Sequence, residues 1–398
     1  MQKQIEELVT RNVTQIITKD ELIKATASGK KLKVYLGVDP SSPDIHLGHA
    51  VVLWKLRQFQ DLGHHIILLI GDFTAQIGDP TGKSKERPVL THEQVLKNAT
   101  DYKKQASKII NFSGKNPASL VFNSKWLSKL TFSDIIKLAG NFTVQQMLER
   151  DMFQERLKNN QPIGLHEFLY PLMVGYDCIQ LEADVEVGGN DQLFNITAGR
   201  TLRQKVSGKS KVVLTCDLLT GSDGSKMSKS AGNIIPLNAS ADEMFGSLMA
   251  VNDKLIEHYA KLCGDFSSDE LSEIAHRLKS NENPRDIKLD VAQNIVARYY
   301  PKESSVVREK FLSRFSDGNA GEATLIELDV KNLPLMQLVA KVANVSNSEA
   351  RRLIVGNAVE VEGKVQFDLN KQIDLVNPVQ MRIGKHRFVK VKYQQQNL

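Results

Sequence analysis

Between residues 34 and 71 the spacing of apolar positions changes twice. Val34-Tyr35-Leu36-Gly37-Val38-Asp39 alternates with the period of a strand, which puts Tyr35, Gly37 and Asp39 on one face. Pro40 to Asp44 supplies turn residues, and from His46 to Leu62 the apolar positions recur at helical spacing. The run from His65 to Gly71 is almost wholly apolar, as in a parallel strand buried on both faces. Strand, helix and strand in succession predict a βαβ unit, and the first half is expected to form a doubly wound parallel sheet. The stretch before residue 30 reads as helices, with Thr18 and Glu21 as a capping box and Ile17 and Leu22 as its hydrophobic staple. From residue 240 to about 315 the pattern is helical, with candidates at 242–251, 253–262, 268–278 and 286–300. Residues 316–321 look like a linker; beyond Leu333 come two short helical stretches, then a strand over 358–363 that runs into a turn.

A length of 398 residues suits two or three domains, and 41% hydrophobic residues are enough to build real cores. No apolar run reaches the roughly 18–20 residues that would span a bilayer. Met1 to Leu8 carries Lys3, Glu6 and Glu7 and lacks the apolar centre of a signal peptide. Cys178, Cys216 and Cys263 stand far apart, as isolated thiols of a reducing compartment and not as a disulfide or zinc framework, so a cytoplasmic location is expected. The net charge of +6 is localised. From Lys331 onward there are eleven Lys and Arg against five Asp and Glu, so 11 − 5 = +6 and the first 330 residues sum to zero. A basic module on a neutral body points to a polyanion partner.

Two constellations carry candidate chemistry. In Asp39-Pro40-Ser41-Ser42-Pro43-Asp44-Ile45-His46-Leu47-Gly48-His49 a strand hands over to a helix, at the sheet edge where such folds bind ligands. The helix N-terminus offers free N–H groups to phosphate, two imidazoles share a helical face, and Gly48 lets a planar ligand approach the backbone. A metal pair is the alternative, but no third Cys or His lies nearby, and no metal site is expected. The second constellation is Gly224-Ser225-Lys226-Met227-Ser228-Lys229-Ser230, a basic loop suited to clamping a polyphosphate. Gly78 to Ser84 is one residue short of the Walker spacing and is rejected as a P-loop.

Taken in order, these motifs resemble the bacterial tyrosyl-tRNA synthetases, class I aminoacyl-tRNA synthetases. His46 to His49 is similar to the family's HIGH signature and Lys226 to Ser230 spells KMSKS. Gly188-Gly189-Asn190-Asp191-Gln192 resembles its ribose- and substrate-contacting loop, and Ser348 to Ile354 a small RNA-binding domain shared with a ribosomal protein.

The resemblance implies a Rossmann-type catalytic domain over 1–236 with an insertion near 127–157. A helical anticodon-binding domain over 237–320 and a basic α+β RNA-binding domain over 332–398 would follow. It implies a two-step reaction on ATP with Mg2+, tyrosine and tRNA(Tyr), no tightly bound cofactor, and a homodimer formed through the insertion. By residue, it implies that Ser41, His46, Gly48, His49, Lys83, Arg87, Lys226 and Lys229 meet ATP or the leaving pyrophosphate, with Gly189 and Asp191 at the ribose. For the amino acid, Tyr35 and Asp177 would hold the phenol hydroxyl, Asp79 and Tyr170 the ammonium group, and Gln192 the carboxylate, with Gly37, Asp39 and Val174 lining the site. Arg351 and Arg352 would bind tRNA. Val174 is a departure, since the family usually carries glutamine there. Tryptophanyl synthetase, or an RNA-binding protein descended from a synthetase, are the rival readings.

Overall fold

The computed structural model describes residues 2–40, 44–79, 91–227, 231–280, 282–316, 324–343, 345–384 and 387–394. Contacts divide the chain into two units, Met1–Ser304 and Ser305–Leu398.

The first unit is built on a six-stranded sheet. Its strands are β1 (Val13–Ile17), β2 (Lys33–Val38), β3 (His65–Ile70), β4 (Ser119–Phe122), β5 (Val185–Gly189) and β6 (Val212–Cys216), in the order β1-β6-β5-β2-β3-β4. All neighbours from β6 to β4 run parallel; β1 alone is antiparallel, against β6. The strand order reverses between β2 and β5. In open α/β sheets this switch point leaves a crevice beyond the carboxyl ends of the two strands. The expected βαβ unit is β2, the helix Leu47–Asp61 and β3. Leu47, Ala50, Val51, Val52, Leu53, Leu56 and Phe59 of that helix are buried, all round its axis, as in a helix enclosed by its neighbours.

The opening differs from its expectation. Between the helices Gln2–Thr10 and Lys19–Ala27 lies β1, whose half-exposed residues give no clean alternation and which only its pairing with β6 defines as a strand. Thr18 is the N-cap of the second helix, but its side chain makes no capping bond. Glu21 turns instead toward Arg200, which also donates to the Ile17 carbonyl oxygen at 3.1 Å. The Glu21 carboxylate thus takes a guanidinium as its partner in place of the Thr18 N–H.

The helices Ala241–Met249, Ile256–Cys263, Ser268–Lys279 and Pro284–Ala297 complete the unit. Ser240 and Ser267 cap the first and third through boxes with Glu243 and Glu270. Arg298 stacks over Trp54 at 3.8 Å and Trp54 Nε1 donates to Tyr299 Oη at 3.1 Å, so these helices are tied to the helix Leu47–Asp61.

In the second unit the helices Leu335–Ala343 and Asn347–Val355 pack on a five-stranded sheet around a core that includes Leu338, Val339, Ile354, Val359 and Val391. The helix Ser304–Ser316, apart from its first residue, belongs to this unit. Residues 317–321 of the expected linker lie outside the described residues.

Candidate active site

The two signatures meet at the start of the helix Leu47–Asp61. His46 is its N-cap, and His46 N–H donates to His49 Nδ1 at 3.3 Å. That bond fixes Nδ1 of His49 as an acceptor, so the proton of its neutral ring sits on Nε2. The imidazole centroids are 4.0 Å apart. Leu47 N–H donates to the Ile235 oxygen and Leu237 N–H to the Ile45 oxygen, so the segment after the lysine loop is laced to the segment entering the helix. A Cβ on Gly48 would lie 2.9 Å from Met227 Sδ and 3.0 Å from His46 Nδ1. Gly48 is therefore the contact point between the signatures, and a side chain there would have to displace Met227 and His46.

The base of the lysine loop is a closed polar knot. Asp223 accepts from the N–H and hydroxyl of Ser225, and Asn233 Nδ2 reaches Asp223 at 3.0 Å, Ser225 Oγ at 2.9 Å and the Lys226 oxygen at 3.2 Å. These bonds hold the Asp223 carboxyl below its ordinary value. Lys229 of the loop, like Ser41, Lys83 and Arg87, lies outside the described residues.

At the switch point a cavity of about 80 Å³ opens between the ends of β2 and β5. Tyr35, Gly37, Asp39, Tyr170, Val174, Asp177, Gly189 and Gln192 all line it. Residue spacing explains this: Tyr35, Gly37 and Asp39 share a face of β2, and Tyr170, Val174 and Asp177 share a face of the helix Tyr170–Leu181, which starts where Pro171 is tolerated. Asp79, itself buried, accepts from Gln192 Nε2 at 2.8 Å, with Asn195 Nδ2 at 3.5 Å and Arg150 at 4.0 Å.

A continuous hydrogen-bonded chain runs along the wall. Tyr170 Oη donates to Asp39 Oδ2 at 2.8 Å, Thr74 Oγ1 to Asp39 Oδ1 at 2.7 Å, and Asn123 Nδ2 lies 3.1 Å from both Thr74 Oγ1 and Asp177 Oδ2. Trp126 Nε1 donates to Asp177 Oδ1 at 2.7 Å. A Cβ on Gly71 would fall 2.0 Å from Asp39 Oδ1, so that glycine makes room for the chain. Burial pushes the Asp177 carboxyl up to about 7 against the lowering by Asn123 and Trp126. Burial, with Cys178 and Asp177 beside it, raises the Tyr35 phenol well above its ordinary value. Asp191 is also raised, by burial and then by Asp79, with Lys226 opposing. Lys226 is thus near enough to be felt at the loop Gly188 to Gln192.

Arg351 and Arg352 are exposed on the helix Asn347–Val355 of the second unit. Thr74, Asn123, Trp126 and Asn195 escaped the sequence reading. Asn195 had a signal, three residues after Gln192 on the first turn of a helix; the others carry none. Among the described residues no group of three His, Cys, Asp or Glu could hold a metal ion, and no helix is long and apolar enough to cross a membrane.

Comparison with known proteins gives a consistent assignment. Residues 27–316 match the family described as tRNA synthetases class I (W and Y). Tyrosine–tRNA ligase 2 of Clostridium acetobutylicum is 46% identical over 94% of this chain and 93% of its own. The tyrosine–tRNA ligase of Carboxydothermus hydrogenoformans is 43% identical over 98% and 97%. Among solved structures, the fold is shared with a C-terminally truncated mitochondrial tyrosyl-tRNA synthetase of Aspergillus nidulans, with a TM-score of 0.63, 23% identity, and coverage of 78% of this chain and 94% of that one. The tyrosyl-tRNA synthetase of Archaeoglobus fulgidus, complexed with L-tyrosine, gives a TM-score of 0.61 at 23% identity, over 77% and 99%. The chain belongs to the class I tRNA synthetase family that contains the tyrosine–tRNA ligases.

Proposed function

We propose that this chain activates L-tyrosine with Mg-ATP to tyrosyl-adenylate and pyrophosphate, then transfers tyrosine to the terminal adenosine of tRNA(Tyr). The observation that carries the substrate reading is the pair Tyr35 and Asp177, both buried and both lining the small cavity at the ends of β2 and β5. A phenol hydroxyl that donates to Asp177 and accepts from Tyr35 adds a bond to each; phenylalanine fills the same buried space and makes neither. Discrimination of tyrosine from phenylalanine by a factor of about 10⁵ is already known for this enzyme family, and that family value sets the scale expected here.

A carboxylate is already a nucleophile at neutral pH, so the first step needs alignment and donors aimed at growing phosphate charge. His49 Nε2–H, His46, Lys226 and, by resemblance, Ser41, Lys83, Arg87 and Lys229 supply those donors. Gly48 admits the nucleotide to the helix end, while Gly189 and Asp191 take the ribose. Asp79 and Tyr170 hold the ammonium group and Gln192 the carboxylate. Arg351 and Arg352 bind tRNA in a basic C-terminal domain, the helical segment after residue 240 meets the anticodon side, and the protein works in the cytoplasm as a homodimer. Exposed Phe132, Ile136 and Val144 on the insertion support the dimer.

The test is amino-acid-dependent ATP–pyrophosphate exchange with tyrosine, tryptophan and phenylalanine in parallel. Exchange with tyrosine alone is expected; exchange with tryptophan, or with none, refutes the reading.

A further inference from the structure

Beneath the cavity lies a buried ion pair that the proposed chemistry does not use. Lys211, 1% exposed, sits one residue before β6, with its ammonium against the carboxylate of Glu186, 3% exposed, on β5. Glu186 is the register partner of Tyr35 across the β2–β5 pairing and itself lines the cavity. Lys211 Nζ stands 3.4 Å from Tyr35 Oη and 5.6 Å from the centre of its ring. Room for it comes from Gly199, where a Cβ would lie 2.7 Å from Nζ.

Stability does not account for such a pair. Desolvating two charges costs about as much as their attraction returns, and apolar residues of similar volume usually serve as well. Its position explains it better. Tyr35 has one hydroxyl proton, and an N–H aimed at Oη leaves that proton for another acceptor. Burial pulls the Lys211 ammonium down from its ordinary value. Wherever the shared proton rests, Nζ keeps at least two N–H groups and remains a donor. The Cys178 sulfur beside Tyr35 is a weak acceptor, which a phenol oxygen displaces.

We propose that Lys211, anchored by Glu186, is a positioning residue that turns the Tyr35 hydroxyl into a donor toward the substrate's phenol oxygen and so sharpens selection of tyrosine over phenylalanine. The inference rests on the proposed tyrosine activation.

The test compares kcat and KM for tyrosine and phenylalanine in ATP–pyrophosphate exchange. It uses the full-length protein, the double variant Glu186→Leu with Lys211→Met, and Lys211→Gln. The glutamine is one bond shorter and cannot reach both Glu186 and Tyr35. Thermal unfolding of each variant is recorded alongside. A near-native unfolding temperature is expected for the double variant and a lowered one for Lys211→Gln, which leaves the Glu186 charge uncompensated; in both, KM for tyrosine is raised about tenfold with kcat little changed and phenylalanine unaffected, so that the tyrosine-to-phenylalanine ratio falls about tenfold. An unchanged ratio in either folded variant, or equal losses for the two amino acids, overturns the proposal. Absence of tyrosine-dependent exchange in the unsubstituted protein overturns the functional reading itself.

Discussion

Tyrosine affinity should depend on pH through Asp177. Its carboxyl is fully buried and pushed up to about 7, so it is mostly ionised at pH 8 and mostly protonated at pH 6. A phenol hydroxyl donates to the ionised form; the protonated acid offers a competing hydrogen and a weaker acceptor. Affinity is thus full above the raised pKa and is lost as pH falls through it. If only the ionised form binds, the apparent Kd is the intrinsic value divided by the ionised fraction, about 0.9 at pH 8 and about 0.09 at pH 6. Tyrosine should therefore bind about tenfold more weakly at pH 6, a cost of about 1.4 kcal/mol. Equilibrium dialysis with radiolabelled tyrosine and no ATP measures this without titrating the nucleotide. Phenylalanine, which places only hydrogen on carbon against Asp177, should bind no worse at pH 6, so discrimination narrows there. Trp126→Phe removes the donor 2.7 Å from Oδ1 and should move the midpoint upward, since one stabiliser of the carboxylate is gone. A flat Kd from pH 6 to 8, or tighter tyrosine binding at pH 6, refutes the reasoning.

Three further expectations come from other parts of the molecule. Gly48→Ala puts a methyl group 2.9 Å from Met227 Sδ and 3.0 Å from His46, and forcing the signatures apart should slow adenylate formation by about 10²-fold while leaving tyrosine binding nearly unchanged; stopped-flow adenylate formation decides it. Val174→Gln restores an acceptor for the substrate ammonium on the cavity wall and should lower tyrosine KM, up to about tenfold for one charge-assisted bond; an unchanged or higher KM counts against it. Truncation after Ser316 removes the whole core cluster around Leu338 and Val391 and should weaken tRNA charging while sparing pyrophosphate exchange, with charging more sensitive to salt in the full chain than exchange is. Equal loss of both activities would break the proposed division of labour.

Local pattern alone carried the βαβ unit, the helices after residue 240 and the two signatures, because each is a short run whose spacing or residue types report on its own backbone. Tyr35, Gly37 and Asp39 could be put on one face for the same reason, as could Tyr170, Val174 and Asp177. β1 was not legible, since its half-exposed residues acquire strand geometry only from hydrogen bonds to β6. Nor was the fate of Glu21, whose capping bond lost to Arg200, a residue 179 positions away. The polar wall of Thr74, Asn123 and Trp126 around Asp177, and Lys211 reaching Tyr35 across 176 positions, join residues on different elements. No spacing rule links such pairs; the parallel sheet does, by reversing its strand order between β2 and β5 and converging their ends on one cavity. The sequence by itself therefore determined the βαβ unit, the helices after residue 240 and the residue types of the two signatures. Only the tertiary structure decided which buried groups face one another, and with that the upward shift of the Asp177 carboxyl and the approach of Lys211 to the Tyr35 hydroxyl, because desolvation and hydrogen-bond competition depend on neighbours distant along the chain.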